Sequence, residues 1–412
     1  MIDKRVVITG LGMISPVGLD ADSSWKALTD GTSGVDRITA FDSEGYLTTI
    51  AAEVKDFDPS AILGKKLAKN LDRFSQFALV ASLEAIKQSE LQINSVNCKD
   101  IAVRIGSGVG GIITISEQMD TLNTKGPMKV SPFLVPKMLG DMAAAQVSMH
   151  LGIKGSSICT VSSCCSGGDA IGEAYELIRR GNALVAVAGG SEAAICPIAI
   201  AGFNSCKALS TKNSSPEHAS RPFDLLRDGF VLGEGSGILI METLENAIAR
   251  GKTPLAEIIG YGSTSDAYHV THPSPGGEGA IRSLNMALRN AKISPSQVDY
   301  VNAHGTSTPI NDKFETMAMK EVFGSSVSKI HISSTKSMTG HLLGAAGAIE
   351  SVVAIKSILS NTIPPTINLN NPDPDCDLDY TPHTLVKSKV SIVMSNSLGF
   401  GGHNTSLIFK QI

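Results

Sequence analysis

The sequence predicts a layered α/β protein made of two similar halves, and three observations lead there. Short apolar, β-branched runs alternate with longer helical patterns along all 412 residues. A strand-like run leading into a helix of small residues occurs once around Cys164 and again around His341. Hydrophobic residues make up 42% of the chain, enough for a large core, while 5% aromatics and 40 glycines favour close backbone packing over bulky side chains.

The elements follow in order. Arg5–Thr9 reads as a strand, with no charged and long apolar leader before it, so no signal peptide is expected. Gly10-Leu-Gly12 then reads as a tight turn. Leu71, Phe74, Ala78, Ala81 and Ala85 recur at helical spacing and predict a helix over Asn70–Gln88. Strands are expected at Ile101–Ile105, Ser157–Ser162 and Ala183–Ala188. The apolar window Ala183–Gly202 is broken by Gly189, Gly190, Glu192 and Pro197, which argues against a membrane helix. Arg250-Gly-Lys-Thr-Pro254 is turn-forming and marks a seam between residues 1–250 and 251–412. Beyond it, strands are expected at Val298–Ala303, Lys329–Ser333, Ser391–Ser395 and Thr405–Phe409.

The repeated unit carries more information than any single strand. Ser157–Ser163 leads into Cys164-Cys-Ser-Gly-Gly-Asp-Ala-Ile-Gly, and Ile330–Ser334 leads through a short link into Gly340-His-Leu-Leu-Gly-Ala-Ala-Gly-Ala. Glycine costs up to ~1 kcal/mol per helical position relative to alanine. Two such helices at matching places are explained by burial, where other backbones must come close.

Composition excludes several functions. A formal charge of −4 with 18% charged residues rules out a global basic surface for nucleic acid. Seven cysteines without a CxxC pair support neither a zinc site nor a disulfide framework, so a soluble, reduced, cytoplasmic protein without a metal is expected. Neither Gly10-Leu-Gly12 nor Gly106–Gly111 shows the whole dinucleotide fingerprint of spacing, helix and distal acid.

Cys164 stands where a predicted strand ends and a helix begins, where first-turn amides favour a thiolate. Cys165 is adjacent, and spacing does not separate the two. His304, in Asn302-Ala-His-Gly-Thr-Ser-Thr-Pro309, and His341 occupy similar junctions. Ligands bind at such strand ends in open α/β sheets, and a Cys–His–His group can support acyl transfer through a thioester.

The segments resemble the condensing enzymes of fatty-acid synthesis, the β-ketoacyl-acyl carrier protein synthases and specifically their synthase II branch, within the thiolase superfamily. The resemblance spans the chain from Val6-Val-Ile-Thr-Gly to Ser397-Leu-Gly-Phe-Gly-Gly-His-Asn404. Its most specific pieces are Ser220-Arg-Pro-Phe-Asp, Arg227-Asp-Gly-Phe-Val-Leu-Gly-Glu-Gly235, the His304 segment, and Ser333-Ser-Thr-Lys-Ser-Met-Thr-Gly-His-Leu-Leu-Gly-Ala-Ala-Gly-Ala348. It implies the thiolase fold: two α/β halves related by pseudo-twofold symmetry in an α-β-α-β-α body, 1–250 carrying the nucleophile and 251–412 the histidines.

The resemblance also implies the chemistry. Cys164, not Cys165, would be the nucleophile, with the amides of Cys164 and Phe400 as oxyanion hole. His304 and His341 would stabilise the enolate left when malonyl-acyl carrier protein loses CO2. Lys336 and Glu350 would support them, Thr306 and Thr308 would contact pantetheine, Phe400 would gate, and Val109 and Phe203 would line the acyl pocket. Lys65, Lys69, Lys129 and Lys207, with Lys66 beside them, would dock the acidic acyl carrier protein. No cofactor or metal is implied, because the substrates bring their own phosphopantetheine, and the implied assembly is a homodimer.

Leu398 stands where the family commonly has phenylalanine, His403 where it has threonine, Ser156 where it has proline, and Cys165 where it has a small or hydroxyl residue. A biosynthetic thiolase would need a second reactive cysteine near the carboxyl terminus, and Asn396–Asn404 holds none. A ketosynthase of a specialised polyketide or polyene pathway keeps the same triad and is the alternative enzyme. A non-catalytic chain-length-determining subunit is the alternative of another class, and such subunits lose the nucleophile that this chain keeps.

Overall fold

The computed structural model describes residues 3–412. Its main sheet contains β1 (Val6–Ile14), β2 (Ile101–Gly106), β3 (Ser157–Ile158), β4 (Val185–Glu192) and β5 (Gly235–Thr243). The second half adds β6 (Ala256–Ser265), β7 (Tyr300–Asn302), β8 (His331–Ser333), β9 (Ile392–Gly399) and β10 (His403–Lys410). The spatial order is β8-β7-β9-β10-β6-β1-β5-β4-β2-β3.

Read outward from the middle, both halves follow one rule. β1 pairs antiparallel with β5 and β5 antiparallel with β4, after which β2 and β3 are added in parallel. β6 likewise pairs antiparallel with β10 and β10 antiparallel with β9, followed by parallel β7 and β8. The halves join where Val6, Val7 and Ile8 face Ile258, Glu257 and Ala256. This is the thiolase fold, with pseudo-twofold symmetry written into its strand order.

The helical layers include α1 (Arg73–Ser89), α2 (Ser166–Arg179), α3 (Glu278–Ala291), α4 (Pro309–Phe323) and α5 (Ala346–Ser360). Helix α1 shares one apolar cluster with β1, β2, β4 and β5. Helices α3 and α4 share another with β7 to β10. Between them a central cluster combines residues of α2, α5 and both half-sheets. That order gives α-β-α-β-α.

The twin small-residue helices are this central layer. Ten of the fourteen residues of α2 and twelve of the fifteen of α5 are buried. Leu343–Ser360 is apolar enough to cross a bilayer, but 83% of it is buried inside the protein, as expected of a core helix. A Cβ on Gly167 would lie 2.7 Å from the Gly344 carbonyl oxygen and 3.1 Å from the Ala348 side chain. Backbone approaches that close leave room only for glycine.

The same physics corrects two sequence readings. Gly10 and Gly12 do not form a turn; they lie inside β1, where a Cβ would meet the carbonyl oxygens of Ala85 and Ala81 in α1 at 2.2 and 1.9 Å. Strands β5 and β6 were not anticipated at all. In β6 the glycines that interrupt the apolar run, Gly260 and Gly262, sit against the α3 carbonyls of Ala287 and Ser283 at 2.6 and 2.2 Å from a would-be Cβ. Ser157–Ser162 is also shorter than expected, since pairing ends at Ile158. Helix α1 begins at Arg73 because Asp72 caps it, accepting from the Phe74 amide at 3.3 Å.

Candidate active site

Residues 159–162 cross from β3 to the middle layer without regular structure, and Cys164 sits in a 3-10 turn, Ser163–Cys165, leading into α2. Ser163 holds φ +54°, a left-handed conformation rare for a residue with a Cβ. Cys164 follows it and is partly exposed to a cavity of about 440 Å3.

His341 reaches the same point from the other half. Its amide donates to the Val231 carbonyl at 2.7 Å, and its Nε2 lies 3.0 Å from Cys164 Sγ. His304, from the loop after β7, packs edge-on against His341 with ring centroids 5.2 Å apart. The sulfur and a ring nitrogen of each histidine lie within 4.8 Å of one another. Three residues from separate segments thus converge at one cavity.

Burial dominates their electrostatics. It drives both imidazoles well below the usual histidine range, with Lys336 pushing the same way, so both rings are neutral near pH 7. Burial also pushes the Cys164 thiol up to about 11, against the Lys336 charge and the Phe400 and Cys164 amides, which favour the anion. The thiolate expected from the helix start is therefore not the resting form. Desolvation outweighs the turn's amides.

Lys336 is itself buried and ion-paired with Glu350 on α5. Thr306 and Thr308 line the cavity, with hydroxyls 2.9 Å apart, as do Val109, Phe203 and Phe400. Phe203 meets Phe230 edge-on, and Phe230 meets His341 the same way. The lysines divide: Lys207 lines the cavity, whereas Lys65, Lys69 and Lys129 are exposed but are not among its lining residues.

Several polar residues that shape the site escaped the sequence reading. Glu315 accepts the His304 and Gly305 amides at 2.7 and 2.8 Å, and Asp312 accepts those of Thr306 and Ser307 at 3.0 and 3.2 Å. Both stand on α4 one turn apart, and two acids at that spacing after Pro309 are the sequence signal for them. Glu192, which in the sequence only interrupts an apolar run, lies completely buried beside the cavity wall. Cys165 faces away from the histidines, with its sulfur 3.1 Å from the Ser397 carbonyl oxygen and 3.3 Å from that of His403.

A sulfur nucleophile, two neutral imidazoles and amide donors around a mostly apolar pocket suit chemistry on a thioester carbonyl. The comparisons with known proteins agree. A model of the β-ketoacyl synthase N-terminal domain matches residues 3–247, and one of the C-terminal domain matches residues 255–370. The chain is 50% identical over 408 residues to the 3-oxoacyl-[acyl-carrier-protein] synthase 2 of Synechocystis, covering 99% of this chain and 98% of that protein. A β-ketoacyl synthase structure from Burkholderia phymatum superposes with a TM-score of 0.92 at 37% identity, covering 99% of this chain and all of that one. A structure of a type II polyketide acyl-carrier protein in complex with its ketosynthase gives 0.92 at 36% identity, with both chains covered completely. Fold, site and full-length similarity together establish that this chain belongs to the β-ketoacyl synthase family.

Proposed function

We propose that this protein is the acyltransferase that elongates a fatty acyl chain by two carbons, through decarboxylative condensation with malonyl-acyl carrier protein. The approach of His341 Nε2 to Cys164 Sγ beside His304 carries the reading. Full-length identity of 50% to a 3-oxoacyl-[acyl-carrier-protein] synthase 2, against 36% to the polyketide ketosynthase, favours fatty-acid elongation over a specialised pathway.

Cys164 attacks the acyl thioester, and its proton leaves with the departing pantetheine thiol. The Cys164 and Phe400 amides hold the oxyanion. Malonyl thioester then enters, its carboxylate departs as CO2, and the electron pair left behind forms an enolate. His304 and His341, neutral through burial, each donate a ring N–H to the enolate oxygen. The carbanion attacks acyl-Cys164, and the expelled thiolate takes up a proton. Lys336, held by Glu350, supplies positive potential, Thr306 and Thr308 contact the pantetheine arm, and Phe400 controls entry of the second substrate. Val109 and Phe203 line the acyl pocket. Decarboxylation generates the carbanion, so the reaction needs neither metal nor organic cofactor.

Acyl carrier protein is the partner this reading requires, docking on Lys65, Lys69, Lys129 and Lys207. A homodimer is supported by β3 standing at the edge of the sheet with exposed apolar side chains on and beyond it, Ile158 and Val161. Seven free cysteines suit a reducing, cytoplasmic location.

Replacing each histidine separately tests the reading. His304→Ala and His341→Ala should each lose ~10²–10³ in malonyl decarboxylation, the usual cost of one oxyanion donor, while retaining some acyl transfer to Cys164. Wild-type decarboxylation by either variant would refute the role given to that histidine.

A further inference from the structure

The pseudo-twofold axis maps the catalytic turn onto a second turn with no chemistry of its own. Ser163–Cys165 precedes α2, and Leu343–Ala345 precedes α5 in the same 3-10 form. Ser163 and Leu343 share the strained left-handed conformation, at φ +54° and +47°. Cys164 therefore corresponds to Gly344. The strand ends facing the two turns correspond as well, because β4 and β9 hold the same place in their half-sheets. At the end of β9, Gly399 approaches the Cys164 amide, and the Phe400 amide favours the anion on its sulfur. At the end of β4 stands Glu192.

The Glu192 carboxylate is wholly buried and is held by four donors. The amides of Gly108, Gly344 and Val109 approach it at 2.6, 3.0 and 3.3 Å, and Ser107 Oγ at 2.8 Å. These donors come from two functional segments. Gly108 and Val109 form part of the cavity wall, and Gly344 lies three residues after His341. The fit is tight, since a Cβ on Gly344 would lie 2.3 Å from the Gly108 nitrogen and 2.7 Å from Glu192 Oε2.

We propose that Glu192 is a positioning residue that ties the acyl-pocket wall at Gly108–Val109 to the turn after His341, so that pocket shape and the placing of that imidazole are set together. The proposal rests on the roles given above to Cys164 and His341. A carboxylate suits the place because it only accepts. Three of the four donors are amide N–H groups that can accept nothing, and only Ser107 Oγ, which already accepts from the Gly110 amide at 3.0 Å, could turn to receive a hydrogen. Glutamine would turn at least one donor of its own against them, which costs more than losing a bond.

The test compares wild type with Glu192→Gln and with Ser107→Ala, which removes one donor and leaves three amides. Thermal melts establish folding. Initial rates are then measured for Cys164 acylation by acetyl- and dodecanoyl-carrier protein, and for malonyl decarboxylation. Folded Glu192→Gln should keep acetyl transfer within about threefold, while dodecanoyl transfer and decarboxylation each fall about tenfold, the scale of one disrupted buried hydrogen bond. Ser107→Ala should show the same unequal pattern more weakly, and it decides the matter if Glu192→Gln does not fold. Equal losses in all three rates would mark Glu192 as merely structural and overturn the proposal, as would unchanged rates. Wild-type protein that fails to load any acyl group would overturn the underlying reading first, and this proposal with it.

Discussion

Cys164 carries two opposed demands at one atom. The proposed acyl transfer needs a reactive sulfur in an apolar cavity, but burial there pushes the thiol up to about 11. Lys336 and the Phe400 and Cys164 amides pull the other way without winning in the resting protein. A thiol whose pKa lies above the assay range gains thiolate as pH rises and loses it as pH falls. Alkylation of Cys164 by iodoacetamide should therefore accelerate about tenfold per pH unit between pH 7 and 10. A plateau reached by pH 8 would contradict the burial argument. That Cys164, His304 and His341 come together was legible in the sequence, because their segments are long and specific. Protonation state was not. Desolvation depends on the layers that close over a side chain, and no run of neighbours reveals those.

Glycine decides more at the scale of elements than any apolar residue. The small-residue pattern disclosed α2 and α5 in advance, because in a helix such residues are costly unless backbones must touch. In strands glycine hides the structure: Gly260 and Gly262 interrupt the apolar pattern of β6, and the strand expected over Arg5–Thr9 in fact runs through Gly10 and Gly12. Each of these glycines faces a helix carbonyl within 3 Å of where a Cβ would stand, a constraint set by residues far away in sequence. Two substitutions distinguish the cases. Gly167→Ala, on α2 beside the Gly344 carbonyl, should destabilise by ~1–3 kcal/mol in chemical denaturation, as overpacking does. Gly202→Ala, in a helix with nothing within 4 Å of the new Cβ, should be neutral or stabilise by ~0.5–1 kcal/mol. Equal effects would mean that the contacts of α2 do not govern these positions.

The whole molecule places its chemistry where the two halves meet, Cys164 coming from one and both histidines from the other. The chain is net negative, so an acidic carrier protein needs a local positive surface rather than overall attraction. Lys65 and Lys69 share one short exposed helix, Lys129 is exposed on another segment, and Lys207 stands at the cavity itself. Reversing Lys65, Lys69 and Lys129 to Glu, all outside the cavity lining, should raise KM for carrier-bound substrates and flatten its salt dependence, leaving a small pantetheine thioester nearly unaffected. Equal losses on both substrates would assign these lysines to the fold or the tunnel.

The central claim is that Cys164 alone, beside His341 and His304, takes the acyl group while Cys165 is bound up with the Ser397 and His403 carbonyls. Intact-mass and peptide-mass analysis after exposure to acyl-acyl carrier protein tests this most directly. One acyl increment should appear on wild type and on Cys165→Ala, mapped to the Cys164 peptide position, and none on Cys164→Ala. An adduct mapped to Cys165, or one that survives Cys164→Ala, would contradict the account.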